Sequence, residues 1–345
     1  MPENRPIRCP NCRKWFRTEE SHALVLCPHC STPIHLLHAP DASPPKPLPV
    51  PQRIASLLQQ AWQNHRAGNQ TFAAEDFAAV AENPWFLGVF GPGQPFEFQA
   101  GADMARHFLR EKAGTRSFIL SGGASLGNEM HYQRTMGILD TLATAYGVNF
   151  PQSRQELARA AEPLTLELDK LTVTICPGYI SREESLKTAE ETYAAGTYDA
   201  VLSVLPPADM ISAIGDTPLG VVDSYNTRNL QLSTDGVLKF VVGKYNSMIG
   251  PSFALMLNAV TGHAAEFRDK GRAIQVTQGF WNSDGPEDYL EKYSLSSSAA
   301  MNAYNFDDLS KVICIYNADA NLNELVALAE ACSYRAVQAR RSVNP

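Results

Sequence analysis

The stretch Ser117–Gly147, SFILSGGASLGNEMHYQRTMGILDTLATAYG, decides the fold. Its first residues, Phe118-Ile119-Leu120, form a short apolar run. A glycine-rich turn follows over Ser121–Gly127. A helical pattern then sets Met130, Arg134, Gly137, Ile138 and Leu142 on related faces and closes at Gly147. Strand, tight turn and amphipathic helix make a βα unit. In open α/β sheets a ligand lies where strands end and helices begin. Free backbone N–H groups and the positive end of the helix dipole point there. The polar residues of this turn, Ser125, Asn128, Glu129, His131 and Arg134, are therefore the first candidate site.

The pattern repeats on either side. Upstream, helices are read over 53–66 and 72–81, a strand over 85–90 and a helix over 98–112. Downstream, strands are read over 171–175, 200–205, 219–222, 238–242, 273–277 and 312–316. Helices are read over 182–195, 209–214 and 249–261, and one long helix over 321–340. Strands alternating with helices predict an α/β fold with a mostly parallel sheet.

Composition narrows the function. At 345 residues with 44% hydrophobic and 19% charged, the chain has enough apolar material for real cores. A formal charge of −7 argues against a general binder of nucleic acid or anionic membrane. No run has the length of a membrane span, and MPENRPIRCPNC has no apolar signal region. The expectation is a cytoplasmic protein without membrane contact.

Four of the seven cysteines cluster as Cys9-Pro-Asn-Cys12 and Cys27-Pro-His-Cys30. Two C-x-x-C knuckles a short hairpin apart can close a tetrahedral Zn²⁺ site. Residues 5–38 thus resemble a zinc ribbon holding a structural Zn²⁺. Metal binding would supply the folding free energy of so small a module. Arg5, Arg8, Arg13, Lys14 and Arg17, with Trp15 and Phe16, give it a basic, aromatic surface for a protein or nucleic-acid partner. Residues 39–52, including APDASPPKPLPVP, read as a proline-rich linker. Residues 53–345 form the main domain. The other cysteines, Cys176, Cys314 and Cys332, are expected as free thiols, the first two as buried apolar residues.

The segment GADMARHFLREKAGTRSFILSGGASLGNEMHYQRTMGILDTLATAYG resembles the entry to the second lobe of type I periplasmic binding proteins and lactose-repressor-like regulators. The step Arg134-Thr-Met-Gly137 matches the family's R-x-x-G. TPLGVVDSYN looks like its strand ending in an acidic residue, Asp223. VLKFVVGKYNSMIGPSFALMLNAVTG looks like its crossover strand and returning helix. The match covers about residues 99–280. It implies two α/β lobes with a small polar ligand, such as a sugar or nucleoside, in the cleft. By this resemblance Arg134, Asp223 and the Lys244-Tyr245-Asn246 step face the ligand. Ser125, Asn128, Glu129 and Asn226 join them, and Trp85, Phe86, Tyr179 and Trp281, near predicted strand ends, are the candidate aromatic cover. Asp and Asn offer acceptors and donors to hydroxyls, and Arg offers a planar fork. Two features depart from the family. Only 53–93 precede the match, so either the first lobe is reduced or the C-terminal unit at 312–340 replaces part of it, and a zinc ribbon stands where the regulators carry a helix-turn-helix.

Two other readings stay open. Gly123-Ala-Ser125-Leu-Gly127 is a G-x-S-x-G match. With Asp223 and His263 it gives the Ser, Asp, His order of a serine hydrolase. The third reading is a scaffold with a vestigial cleft.

Overall fold

The computed structural model describes residues 5–8, 15–18, 24–26, 33–35, 74–111, 114, 117–122, 128–177, 182–206, 211–244, 249–297 and 303–343. The chain divides into two units, Met1–Gln59 and Gln60–Pro345.

In the first unit, β1 (Arg5–Arg8) pairs antiparallel with β2 (Trp15–Thr18), and β3 (Leu24–Leu26) with β4 (Pro33–His35). Cys9, Cys12, Cys27 and Cys30, the linker 39–52 and the helix read over 53–66 lie outside the described residues.

The second unit begins with α1 (Ala74–Val80), β5 (Gly88–Gly91), α2 (Gln94–Glu111), β6 (Ser117–Ser121) and α3 (Glu129–Tyr146). Then come α4 (Arg154–Ala158), β7 (Leu164–Glu167), β8 (Thr172–Cys176), α5 (Arg182–Ala194), β9 (Ala200–Ser203) and α6 (Ile211–Ile214). They are followed by β10 (Leu219–Ser224), α7 (Thr227–Thr234), β11 (Leu238–Lys244), α8 (Ile249–Asn258) and a π-helical turn, Ala259–His263. The last elements are β12 (Ile274–Thr277), β13 (Trp281–Asp284), α9 (Gly285–Ser297), α10 (Phe306–Ser310), α11 (Leu322–Glu330) and α12 (Tyr334–Val343).

Seven strands form one sheet in the order β13-β11-β10-β9-β6-β8-β7. The five inner strands are parallel, and β13 and β7 run antiparallel at the two edges. The fold is thus mixed α/β with a mostly parallel sheet. β6, β8 and β9 read as near-continuous apolar runs because helices cover both faces. Alternate residues feed two cores. Phe118 and Leu120 pack with Met104 and Phe108 of α2 and with Ile138, Leu139 and Leu142 of α3. Ile119, Val201, Val221 and Val241 face Ala189 and Tyr193 of α5, Ile214 of α6 and Tyr289 of α9. A second, two-stranded parallel sheet, β5 with β12, packs on α8 and α11 around Phe267, Ile274, Val276 and Leu325. No helix among the described residues is long and apolar enough to cross a membrane.

Two expected elements differ. Residues 312–316, read as a strand, are a turn. The buried Asn258 side chain takes its backbone groups, donating to Val312 O and accepting from Cys314 N, both at 2.8 Å. The long helix read over 321–340 is two helices. Its break is held by Trp281 Nε1 donating to Cys332 O at 2.8 Å and Arg340 Nη1 to Ala331 O at 2.6 Å. After β12 the chain forms the antiparallel edge strand β13, which begins at Trp281, and then the helix α9.

Candidate functional site

Along the sheet the parallel strands read β11-β10-β9-β6-β8. The chain passes from β6 to β8 on one side, then returns across β6 to β9 on the other. The helix after β6, α3, lies on the Phe118 face. The helices after β8 and β9, α5 and α6, lie on the Ile119 face. The helices that follow β6 and β9 therefore lie on opposite faces of the sheet, and the strand order reverses between these two strands. In doubly wound sheets such a reversal is where ligands bind.

The strand ends at this reversal are tightly pinned. Gly122 N donates to Cys176 O at 3.0 Å, and Val204 N donates to Ser121 O at 2.8 Å. A small hollow on the β8 side of β6 is lined by Leu120, Gly122, Thr135, Ala158, Ala160, Ile175 and Pro177. A Cβ on Gly122 would stand 3.4 Å from Thr135 Oγ1 and from Val204 Cγ2, in van der Waals contact with both. Asn128 starts α3. Its Oδ1 accepts from the N–H of Met130 at 3.0 Å and of His131 at 3.3 Å, satisfying two donors that the helix leaves over. Gly147, at φ 62°, ends the helix where the sequence placed its stop. Glu129 accepts from Gln133 Nε2 at 2.7 Å, one turn along the same helix.

Arg134 has a different role from the one the resemblance implies. It is 4% exposed, and its guanidinium points into the protein. Nε donates to Oε2 of the fully buried Glu97 at 2.6 Å, and Nη1 donates to Val204 O at 2.7 Å. One cation thus ties α2, α3 and the end of β9 together where the strand order reverses. The glycine of the same step serves the same contact. A Cβ on Gly137 would lie 2.0 Å from Phe98 O, and one on Gly101 would lie 1.9 Å from Arg134 O. Bare glycine surfaces let the two helix backbones touch, and that brings Arg134 within reach of Glu97. The R-x-x-G step is a helix-packing device that braces the switch point.

Asp223 ends β10 on the same sheet edge as Ser121, two strands away, or about 10 Å at the usual strand spacing. Its Oδ1 accepts from Ser224 N and its Oδ2 from Asn229 Nδ2, each at 2.7 Å. The carboxylate is half-buried, and its oxygens carry more acceptor positions than these two bonds use. Asn226 caps α7 by accepting from Asn229 N at 2.8 Å. Its own N–H donates to the Tyr289 hydroxyl at 2.8 Å, which in turn donates to Asn226 O at 3.0 Å. Burial pushes the Tyr289 hydroxyl above its ordinary value, so it keeps the proton that this pairing needs.

Sugar-binding proteins are among the solved structures similar to this chain. One is a galactofuranose-binding protein, at 11% identity and a TM-score of 0.44, covering 66% of this chain and 75% of its own. Another, from Mycobacterium smegmatis in complex with β-D-fucofuranose, has 14% identity and a TM-score of 0.40, covering 61% and 62%. A third is a putative LacI transcriptional regulator from Bacteroides fragilis, at 10% and 0.41, covering 60% and 63%. At such identities and scores the likeness carries no residue correspondence. The match spans less than two thirds of the length of the second and third of these. No family model matches the chain, and no curated protein matches its sequence.

Among the expected ligand residues, Asn128 and Glu129 at the start of α3 and Asp223 and Asn226 at the end of β10 lie along one sheet edge. Ser125, Tyr179 and Asn246 lie outside the described residues. Trp281 is a core residue, 2% exposed, tilted against Tyr225, edge-on to Tyr334 and bonded to Cys332 O. A hydrolase triad also needs a bond between Asp223 and His263. His263 Nδ1 instead faces Glu266 Oε2 at 3.1 Å, on the π-helical turn that packs with the small layer, while Asp223 holds Ser224 and Asn229. Glu97, Val204 and Asn229 were not anticipated. Glu97 stands just before the helix read over 98–112, and the observed helix takes it in because it begins at Gln94.

Proposed function

We propose that residues 60–345 form a non-catalytic receptor for a small polar ligand of the sugar or nucleoside kind. The observation that carries this reading is the reversal of strand order between β6 and β9, with the helices that follow them on opposite faces of the sheet. In this reading Glu129, Asp223 and Asn226 offer donors and acceptors to the ligand, Asn128, 2% exposed and committed to capping α3, holds the start of that helix beside them, and Ser125, Tyr179 and Asn246, read from sequence, complete the proposed contacts. Hydroxyl-rich ligands suit paired amides and carboxylates, which accept and donate without changing charge. Binding selects the conformation in which the loops close over the ligand.

The N-terminal unit is, in this proposal, a zinc ribbon in a cytoplasmic protein. Each C-x-x-C falls in the connection of an antiparallel strand pair, β1–β2 or β3–β4. Two thiols per turn from two turns is the donor set of a structural Zn²⁺ site. Its basic, aromatic surface would meet a protein or nucleic-acid partner and pass on the ligand signal.

A thermal-shift screen of the full chain against hexoses, pentoses, nucleosides and amino acids tests the receptor. A ligand at a hundred times its Kd adds about 2.7 kcal/mol, a shift of several degrees. The reading predicts such a rise for at least one class. No rise with any class would favour the scaffold with a vestigial cleft.

A further inference from the structure

We propose a second metal site, independent of the ribbon and of the proposed ligand site, formed by His263, Glu266 and Cys314. One ligand atom of each lies within 4.8 Å of the others. A tetrahedral ion with bonds of about 2.0–2.3 Å separates its ligand atoms by about 3.3–3.8 Å, so closing the set needs about an ångström of side-chain rotation.

The backbone around these three residues is built to hold them together. α8 ends in the π-helical turn Ala259–His263, inside which Gly262 has φ 101°. Single π turns widen a helix and re-aim a side chain, and only glycine adopts that φ without strain. The turn delivers His263, with Nδ1 3.1 Å from Glu266 Oε2. Asn258, the last residue of α8 and fully buried, then captures the segment that carries Cys314. Its Nδ2 donates to Val312 O and its Oδ1 accepts from Cys314 N, each at 2.8 Å. Phe267, Val312 and Ile313 are buried beneath, so the Cys314 turn is anchored on both sides.

The donor set is one imidazole, one carboxylate and one thiol. It suits a borderline divalent cation such as Zn²⁺ or Co²⁺ rather than Mg²⁺ or Ca²⁺, which prefer oxygen. Three protein ligands, with Glu266 exposed, leave a fourth position for water. Cys314 would bind as the thiolate, so its proton leaves on metal binding. The thiolate and carboxylate then balance the charge of the ion, and His263 binds as neutral imidazole.

The test uses the full chain, stripped by chelation and titrated with Zn²⁺ and Co²⁺. Cys314→Ser and His263→Gln are compared with the parent. The prediction is that the parent binds one equivalent more than either variant. Zn²⁺ should also slow alkylation of Cys314 about tenfold or more, since a bound thiolate is not available to the reagent. The difference holds whether or not the ribbon cysteines bind, because they are present in every protein compared. His263→Gln changes a half-buried side chain outside the main cores, so it reports even if Cys314→Ser fails to fold. Equal stoichiometry in parent and His263→Gln, or unprotected alkylation of Cys314, would overturn the site.

Discussion

Glu97 and Arg134 offer the most demanding test of how the switch point is held. Both side chains are buried, Glu97 wholly and Arg134 to all but 4%, with 2.6 Å between Oε2 and Nε. Truncating either partner strands the other charge in the interior. Such a loss costs about 3–5 kcal/mol, where a surface ion pair would cost under about 1 kcal/mol. Glu97→Leu and Arg134→Met should each lower Tm by about 6–20 °C, at roughly 2–4 °C per kcal/mol for a domain of this size. Removing both charges together removes the desolvation problem as well. What remains is mainly the unpaired Val204 carbonyl, about 1–3 kcal/mol. The double variant should therefore be no less stable than the worse single variant, and its cost far below the sum. Urea unfolding followed by circular dichroism gives the three free energies and the coupling. Strict additivity would refute the brace. So would an Arg134→Met protein within about 1 kcal/mol of the parent, the signature of a side chain facing solvent or ligand.

Gly137→Ala would gain about 1 kcal/mol of helix propensity, yet its Cβ would sit 2.0 Å from Phe98 O. A backbone oxygen cannot rotate away, so a net loss of about 1–3 kcal/mol or more is expected, read by the same urea unfolding. Alkali should unfold the protein through its buried phenols. Burial holds Tyr193, Tyr225 and Tyr289 above the ordinary value of 10.0, so the unfolded chain loses these protons first. Their contribution is complete below pH 10 and falls as pH rises through it, with Cys176 adding to the fall from its ordinary 9.0 upward. A pH series of urea midpoints checks the slope. Chelation by a strong zinc ligand should unfold the N-terminal unit while leaving the far-ultraviolet signal of the larger unit in place, since metal binding and folding are one event in so small a module.

The sheet was legible because its signals are local. Phe118-Ile119-Leu120 is apolar on both faces, Gly147 can take the left-handed conformation that stops α3, and glycine follows β6 at its turn. The site was less legible because its bonds are distant in sequence. An arginine on a helix reads alike whether it meets solvent, ligand or a glutamate. Its partner Glu97 is 37 residues away and its other acceptor, Val204 O, is 70 away. Residues 312–316, VICIY, have the side chains of a strand, but Asn258 occupies the backbone groups that a ladder would need. Trp281 read as an aromatic cover because it follows a strand. Its indole N–H finds Cys332 O instead, and that bond helps to break what looked like one long helix.

The central claim is that ligand binds where the strand order reverses between β6 and β9. Hydrogen–deuterium exchange of the full chain, with and without a ligand that raises Tm, locates the contact directly. The account predicts slowed exchange in peptides spanning 121–132 and 203–212, with a smaller effect at 223–229. Protection confined to other regions, with these peptides unchanged, would contradict it.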